Sequence, residues 1–397
     1  MVECTMNQGT NKPSAGFWRL SIPLIFLSVA LFHLQPAQAL TVSDASHPVP
    51  VAALKLVQFG ADPKAGLDMQ AVATLVDYVL GSKASKEAGL PVVQKAPGAY
   101  CEFDTRISFP NFMQYSYSNQ IPAVVTSPSS LRYSQWNGQQ GKLHQLPSNW
   151  MLAPPDGKPV IIRGWQRDAI TPDLTTGVYY EYNLNKTLIL LNYKGHQTLI
   201  TISKQINISD VGKKGVILGN DDDWNYYYSG EPGSTKAGLG WVKSYIYDYF
   251  AVAVNVETGG TPAVVRSGVF QWLRAGWSGI NFVQPEHIIK GIKRYARNSK
   301  AIMESPNLPQ PKQVAEAYQR LSSLPQSDLL EKYTALQQAR QSLAAQSGKI
   351  ETGKMKKQDS YAATPKEQIV EELMLEYLKI VLGKTTLLSK KVAMGLI

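Results

Sequence analysis

The sequence predicts an α+β protein in which one long antiparallel β-sheet carries a long C-terminal helix, followed by an all-helical tail. Three observations point there. Between Arg106 and Leu273, short runs of β-branched and aromatic residues alternate with polar turns. After Gly276-Trp277-Ser278-Gly279 the apolar period changes from two to about 3.6. From Lys312 onward only helical periodicity remains. Strands gathered in one stretch and helices in another suit segregated layers better than alternating βαβ units.

Taken in order, residues 40–64 form a Pro-containing lead with little periodicity. Gly66–Gly81 reads as a helix with Leu67, Val72, Leu75, Val76, Val79 and Leu80 on one stripe and Gly81 as its stop. Strands are expected at 106–109, 123–126, 131–136, 160–165, 178–182, 187–193, 198–203, 246–257 and 264–273. Asn183-Leu184-Asn185-Lys186 and Lys194-Gly195-His196 read as hairpin turns, giving a three-strand meander from Val178 to Ser203. Gln284–Met303 reads as a helix opening on Pro285-Glu286, both favourable in a first turn. Lys312–Ser323, Ser327–Ser347 and Pro365–Leu382 are the tail helices, with Arg340 interrupting an apolar stripe.

Composition excludes several classes of protein. With 44% hydrophobic and 18% charged residues over 397 positions, the chain can bury a core. Its 24 Pro and 30 Gly follow no fibrous period. Only Cys4 and Cys101 are present, which excludes a disulfide scaffold and any cysteine-built metal centre. Lys12 and Arg19 precede the apolar run Leu20–Leu34, and Ala37-Gln38-Ala39 follows, the pattern of a secretory signal peptide. The run is about 15 residues, short of the roughly 20 that span a bilayer. Residues 1–39 are therefore expected to be cleaved near Ala39, leaving an exported, periplasmic or extracellular protein with Cys101 as its one thiol, buried beside Tyr100 and Phe103. The expected organisation is signal peptide 1–39, lead 40–64, α+β domain 65–304 and helical extension 305–397.

The net charge of +10 is uneven. Beyond Gln284 there are 18 basic and 11 acidic residues, against 20 and 18 between Leu40 and Gln284. The basic C-terminal helices are thus a surface for anionic membrane, and export argues against nucleic acid.

No nucleotide-binding glycine loop, H-E-x-x-H or G-x-S-x-G occurs, and the histidines lack metal-ligand spacing. Neither metal nor cofactor is expected. Asp221, Asp223 and Asn225 alternate like calcium ligands, but Tyr226 and Pro232 stand where such a loop needs Gly and Glu. Trp224, Tyr226 and Tyr228 form an aromatic row suited to stacking on a ligand or to half-buried strand packing. Asp168 and Asp173 could serve as a glycosidase pair, although turn capping before Pro172 is the commoner role.

Val269–Gly279 followed by Ile288–Met303 resembles the end of the START-like, helix-grip superfamily of lipid-transfer domains. That resemblance implies a curved antiparallel sheet gripping the C-terminal helix around an apolar ligand, with Trp241, Trp272, Trp277 and Phe282 nearby. The functional expectation is an exported, non-catalytic binding or transfer protein for a hydrophobic, lipid-like molecule. The alternative is a carbohydrate-binding or glycoside-processing protein using Asp168, Asp173 and the Trp224–Tyr228 row. The sequence leaves oligomeric state open.

Overall fold

The computed structural model describes residues 47–82, 85–138, 158–233, 236–237, 240–348, 361–389, 392–393 and 395–396. The expected signal peptide and its cleavage point lie outside them, as does the lysine run 349–357. Among the described residues no helix is long and apolar enough to cross a membrane. Residues Val42–Ile397 form one compact unit.

The chain is mixed α/β, built on a large antiparallel sheet. Its strands are β1 (Glu87–Val93), β2 (Ala96–Thr105), β3 (Leu131–Gly138), β4 (Val160–Ile170), β6 (Glu181–Tyr193), β7 (His196–Gln205), β12 (Tyr245–Gly259) and β13 (Val264–Trp277). They lie in the order β1-β2-β13-β12-β7-β6-β4-β3, every pair antiparallel, with β14 (Ile280–Asn281) hairpinned onto β13. A second sheet of three strands joins β5 (Val178–Tyr179), β8 (Lys213–Ile217) and β9 (Tyr226–Pro232). The short pair β10 (Lys236–Ala237) and β11 (Gly240–Trp241) stands apart from both.

Alternation along the strands divides the core in two. One face carries Ile189, Ile200, Ile202, Val252, Val254 and Phe270, covered by α1 (Pro48–Ala61) and α2 (Met69–Leu80). The opposite face carries α4 (Pro285–Met303), whose Ile288 and Ile292 sit on Ala99 and Cys101 of β2. On this side too lie α3 (Phe109–Tyr117), α5 (Pro311–Ser323), α6 (Gln326–Gln346) and α7 (Lys366–Val381). Leu188, Leu190 and Leu199 of the sheet share a single apolar cluster with Leu321, Leu336 and Leu373 of these helices. The segment expected as an extension from residue 305 is therefore packed into the protein's main core. Cys101 is buried, and burial pushes its thiol pKa up.

Several local expectations change. The lead 40–64 contains α1, which begins with Pro48 and Pro50 in its first turn, as the fixed φ of proline allows. It is buried on much of its circumference (Val49, Ala52, Ala53, Leu56, Val57 and Phe59), so its polar–apolar contrast is weak. β2, in a stretch where no strand was expected, contains Pro97 and Gly98. Gly98 is required because a Cβ there would stand 2.4 Å from Nε1 of Trp272.

The three-strand meander is a two-strand hairpin. Asn183–Lys186 lies inside β6, and Tyr182, Leu184, Lys186 and Leu188 alternate onto one face. The real turn is Lys194-Gly195, with φ of 51° and 86°, which suits a tight hairpin. The strand expected at 106–109 is instead the connection into α3, which begins at Phe109, and that expected at 123–126 is a 3-10 turn, Ala123–Val125. Ser108 caps α3, its Oγ accepting from the Asn111 N–H, with Pro110 early in the first turn.

Candidate functional site

Among the described residues, the sheet face opposite α1 and α2 is not completely filled. A cavity of about 1050 Å³ lies between it and residues of α4, α7 and the segment after α3. The strands lining it change character across the sheet. At the β2–β13–β12 side they present Phe103, Val269, Leu273, Ala251 and Ala253, facing Ile292 and Tyr295 of α4. β7 contributes Thr201 and Ser203. At the far side stand Lys186 of β6, Asp168 and Gln166 of β4, Ser134 and Trp136 of β3, and Glu371 of α7. The charged side chains of these strands, Lys186 and Asp168, thus stand at the far side, whereas the β2–β13–β12 side mixes apolar residues with Asn255, Ser267 and Gln271.

Antiparallel register assembles the charged end. Ser134 pairs with Asp168 across β3 and β4, and Asp168 with Tyr182 across β4 and β6. The Ser134 Oγ donates to Oδ1 of Asp168 at 2.7 Å, and Nε2 of Gln166 donates to the same oxygen at 2.6 Å. The backbone N–H of Ser134 donates to Oε2 of Glu371 at 2.9 Å. One serine thus holds two carboxyl groups from different elements. Burial pushes the pKa of Glu371 well up, opposed by the Ser134 N–H and reinforced by neighbouring Asp168 and Glu372. Burial also raises Asp168, against the pull of Gln166, Ser134 and Lys186. The Lys186 ammonium is driven down by burial and held partly up by Asp168. Among the described residues nothing accepts a hydrogen bond from its Nζ. Oδ2 of Asp168 and Oε1 of Glu371 likewise have no described donor.

The aromatic residues expected to bind ligand lie elsewhere. Trp224, at φ 55°, is fully buried, donates from Nε1 to Asn298 of α4 at 2.6 Å and lies under Lys384. Tyr226 donates to Oδ1 of Asp221 at 3.0 Å, and Tyr228 lies 4.0 Å beneath the Arg132 guanidinium. Trp272 is on the other sheet face, stacked on Phe250 and donating to the Pro91 carbonyl at 2.8 Å. Trp277 stacks on Phe282 at the β13–β14 hairpin, 5.3 Å between centroids. The Trp241 side chain lies outside the described residues. None of the six described aromatics lines the cavity.

Asp173, which also borders the cavity, takes the turn-capping role that the sequence favoured over a catalytic one. Its Oδ1 accepts from the N–H groups of Thr175 and Thr176, both at 2.7 Å, and its Oδ2 from the Thr176 hydroxyl and the Val178 N–H. It caps a turn, and both oxygens are occupied. Asp221, considered as a calcium ligand, instead receives Arg294 bidentately at 2.5 and 2.8 Å. Arg297 pairs with Asp222, so α4's basic face is neutralised in part by this acidic turn.

A second charged group is structural. Glu372 of α7 accepts from Arg132 (2.9 Å), Tyr333 (3.2 Å), Gln337 and Gln368 (both 3.1 Å), and from Arg340. Next to it, Lys379 donates to Glu376 and to Oδ1 of Asn225, each at 2.6 Å. Arg340 thus sits at an apolar position of α6 because its counter-ion is buried with it.

Lys186, Ser134, Gln166 and Glu371 were not singled out from sequence. The available signal was a lysine on the inward register of an otherwise apolar strand, and a Glu-Glu pair inside an apolar helix. Comparison adds no relative: no family model, no curated protein and no solved structure matches this chain.

Proposed function

We propose that this is an exported, non-catalytic binding or transfer protein for a lipid-like amphiphile, held between the sheet and α4. The reading takes the sheet as curling round α4 in the manner of helix-grip domains, in line with the START-like resemblance of residues 269–303. The observation that carries it is the roughly 1050 Å³ cavity with a partly apolar and a charged end. Pockets of about 300–1000 Å³ suit drug-sized ligands, and a few convergent polar groups in an apolar wall fix orientation. A purely hydrophobic molecule would leave the Lys186 ammonium and the second carboxyl oxygens of Asp168 and Glu371 without added partners, a costly arrangement, so the ligand has a polar end. Nothing in this geometry requires bond making or breaking.

The test is solvent extraction of the protein purified from its native membrane fraction, with mass spectrometry of the extract. Release of a stoichiometric amphiphile is expected. An empty extract, together with no uptake of lipids by delipidated protein, overturns the proposal.

A further inference from the structure

The polar end of the cavity also restricts what the ligand's head can be. We infer that it recognises a polyhydroxylated, sugar-like head group through Lys186, Asp168 and Glu371, an inference that rests on the amphiphile reading above. A buried head group must complement an ammonium and two carboxyl groups at once. Lys186 as an ammonium supplies donors only, and the free oxygen of Asp168, when ionised beside it, is an acceptor only. Glu371, held towards its protonated form, can donate through that hydroxyl or accept.

A hydroxyl group serves all three, because it donates and accepts. A sulfate or carboxylate head satisfies Lys186 but meets Asp168 as a like charge, and a quaternary ammonium does the reverse. An oxyethylene head accepts along its chain and has one terminal hydroxyl to donate, so it serves the free oxygen of Asp168 less readily than a ring of hydroxyls. Several hydroxyls on one ring can meet the three groups together. Trp136, on the same strand as Ser134 and two residues away, adds an apolar surface at this end. Thr201, Ser203 and Gln271 extend hydrogen-bonding capacity toward the partly apolar half.

The experiment compares dodecyl maltoside, octaethylene glycol dodecyl ether, dodecyl sulfate and free maltose on the full chain by titration calorimetry below micelle formation. The expected result is maltoside binding at least tenfold tighter than the ether or the sulfate. Lys186→Met and Asp168→Asn should each reduce the maltoside-to-ether ratio to within threefold. Because that ratio is taken on one folded sample, a loss of soluble protein does not imitate it. Equal affinities for all three dodecyl ligands would overturn head-group recognition while leaving amphiphile binding intact. Tighter binding of the sulfate would overturn it in favour of an anion anchored on Lys186. Maltose binding as well as the maltoside would keep the polyhydroxyl site and remove the tail from the proposed function. No binding by any of the four would overturn both.

Discussion

Replacing Glu372 by Gln keeps the shape of the side chain and removes one charge from the centre of the C-terminal packing. The carboxylate faces Arg132 and Arg340, and all three side chains are almost wholly enclosed. Leaving buried charges without their partner costs about 3–5 kcal/mol. Its pKa gives an independent figure: Arg132 and Arg340 outweigh the desolvation of Glu372 and hold it at about 2 against an ordinary 4.5. At about 1.4 kcal/mol per pH unit this depression is worth about 3 kcal/mol.

The sign follows from the depressed value. The stabilisation is complete above pH 4.5 and is lost as pH falls toward 2. Calorimetric melting at pH 7 should show Glu372→Gln unfolding about 5 °C or more below the parent, since 1 kcal/mol shifts a large domain by only about 2 °C. The gap should narrow steadily below pH 4.5. Equal melting temperatures at pH 7, or a gap unchanged near pH 2, would refute the assignment. The double variant Arg340→Met/Glu372→Leu should cost less than the two single losses together, because it leaves fewer orphaned charges.

Three further outcomes follow from local geometry. Gly268→Ala would place a Cβ 2.5 Å from Cγ2 of Val79 and 3.0 Å from the Tyr100 hydroxyl; denaturant unfolding should show a loss of about 1–3 kcal/mol, and an unchanged midpoint would disprove the tight α2–β13 contact. Asp173→Ala removes an acceptor from three backbone N–H groups, so stability should fall by about 1 kcal/mol, while dodecyl maltoside affinity stays within twofold; a large affinity loss would place Asp173 in the binding site. The Cys101 thiol, buried and raised in pKa, should react with a disulfide reagent only after unfolding, and rapid labelling of the native protein would contradict its packing under α4.

Much of the fold was legible because the period of the sequence and the period of the structure agree. The helices α2, α4, α5 and α6 each carry a buried stripe bounded by Pro or Gly, and β12 and β13 are long alternating runs; α7 departs from this, being buried at every position from Gln368 to Lys379. What escaped were elements whose surroundings override local preference. α1 is apolar on much of its surface because it lies between α2 and the sheet. β2 tolerates Gly98 because an indole takes the space of its side chain. β6 contains polar residues at its centre because one of its faces borders a cavity.

The candidate site was obscured by the same cause. Large aromatics drew attention as ligand contacts, yet Trp224 and Trp272 are among the most completely buried side chains and fill the core. The polar residues at the charged end, Ser134, Gln166, Asp168, Lys186 and Glu371, come from four separate elements, β3, β4, β6 and α7. They converge only through strand register and through an α7 that is 185 residues beyond Lys186 at Glu371, a separation that one-dimensional periodicity does not report.

Glu371 and Glu372 are consecutive residues of α7, one bordering the cavity and the other tied into the ionic network beneath the C-terminal helices. An occupant that engages the first therefore bears on the helical turn that secures the second. Occupancy should be visible as slower hydrogen–deuterium exchange along α7 and α6, beyond any residue the ligand touches. Exchange along α6 and α7 that is unchanged by dodecyl maltoside would show that Glu371 and Glu372 act separately despite being adjacent.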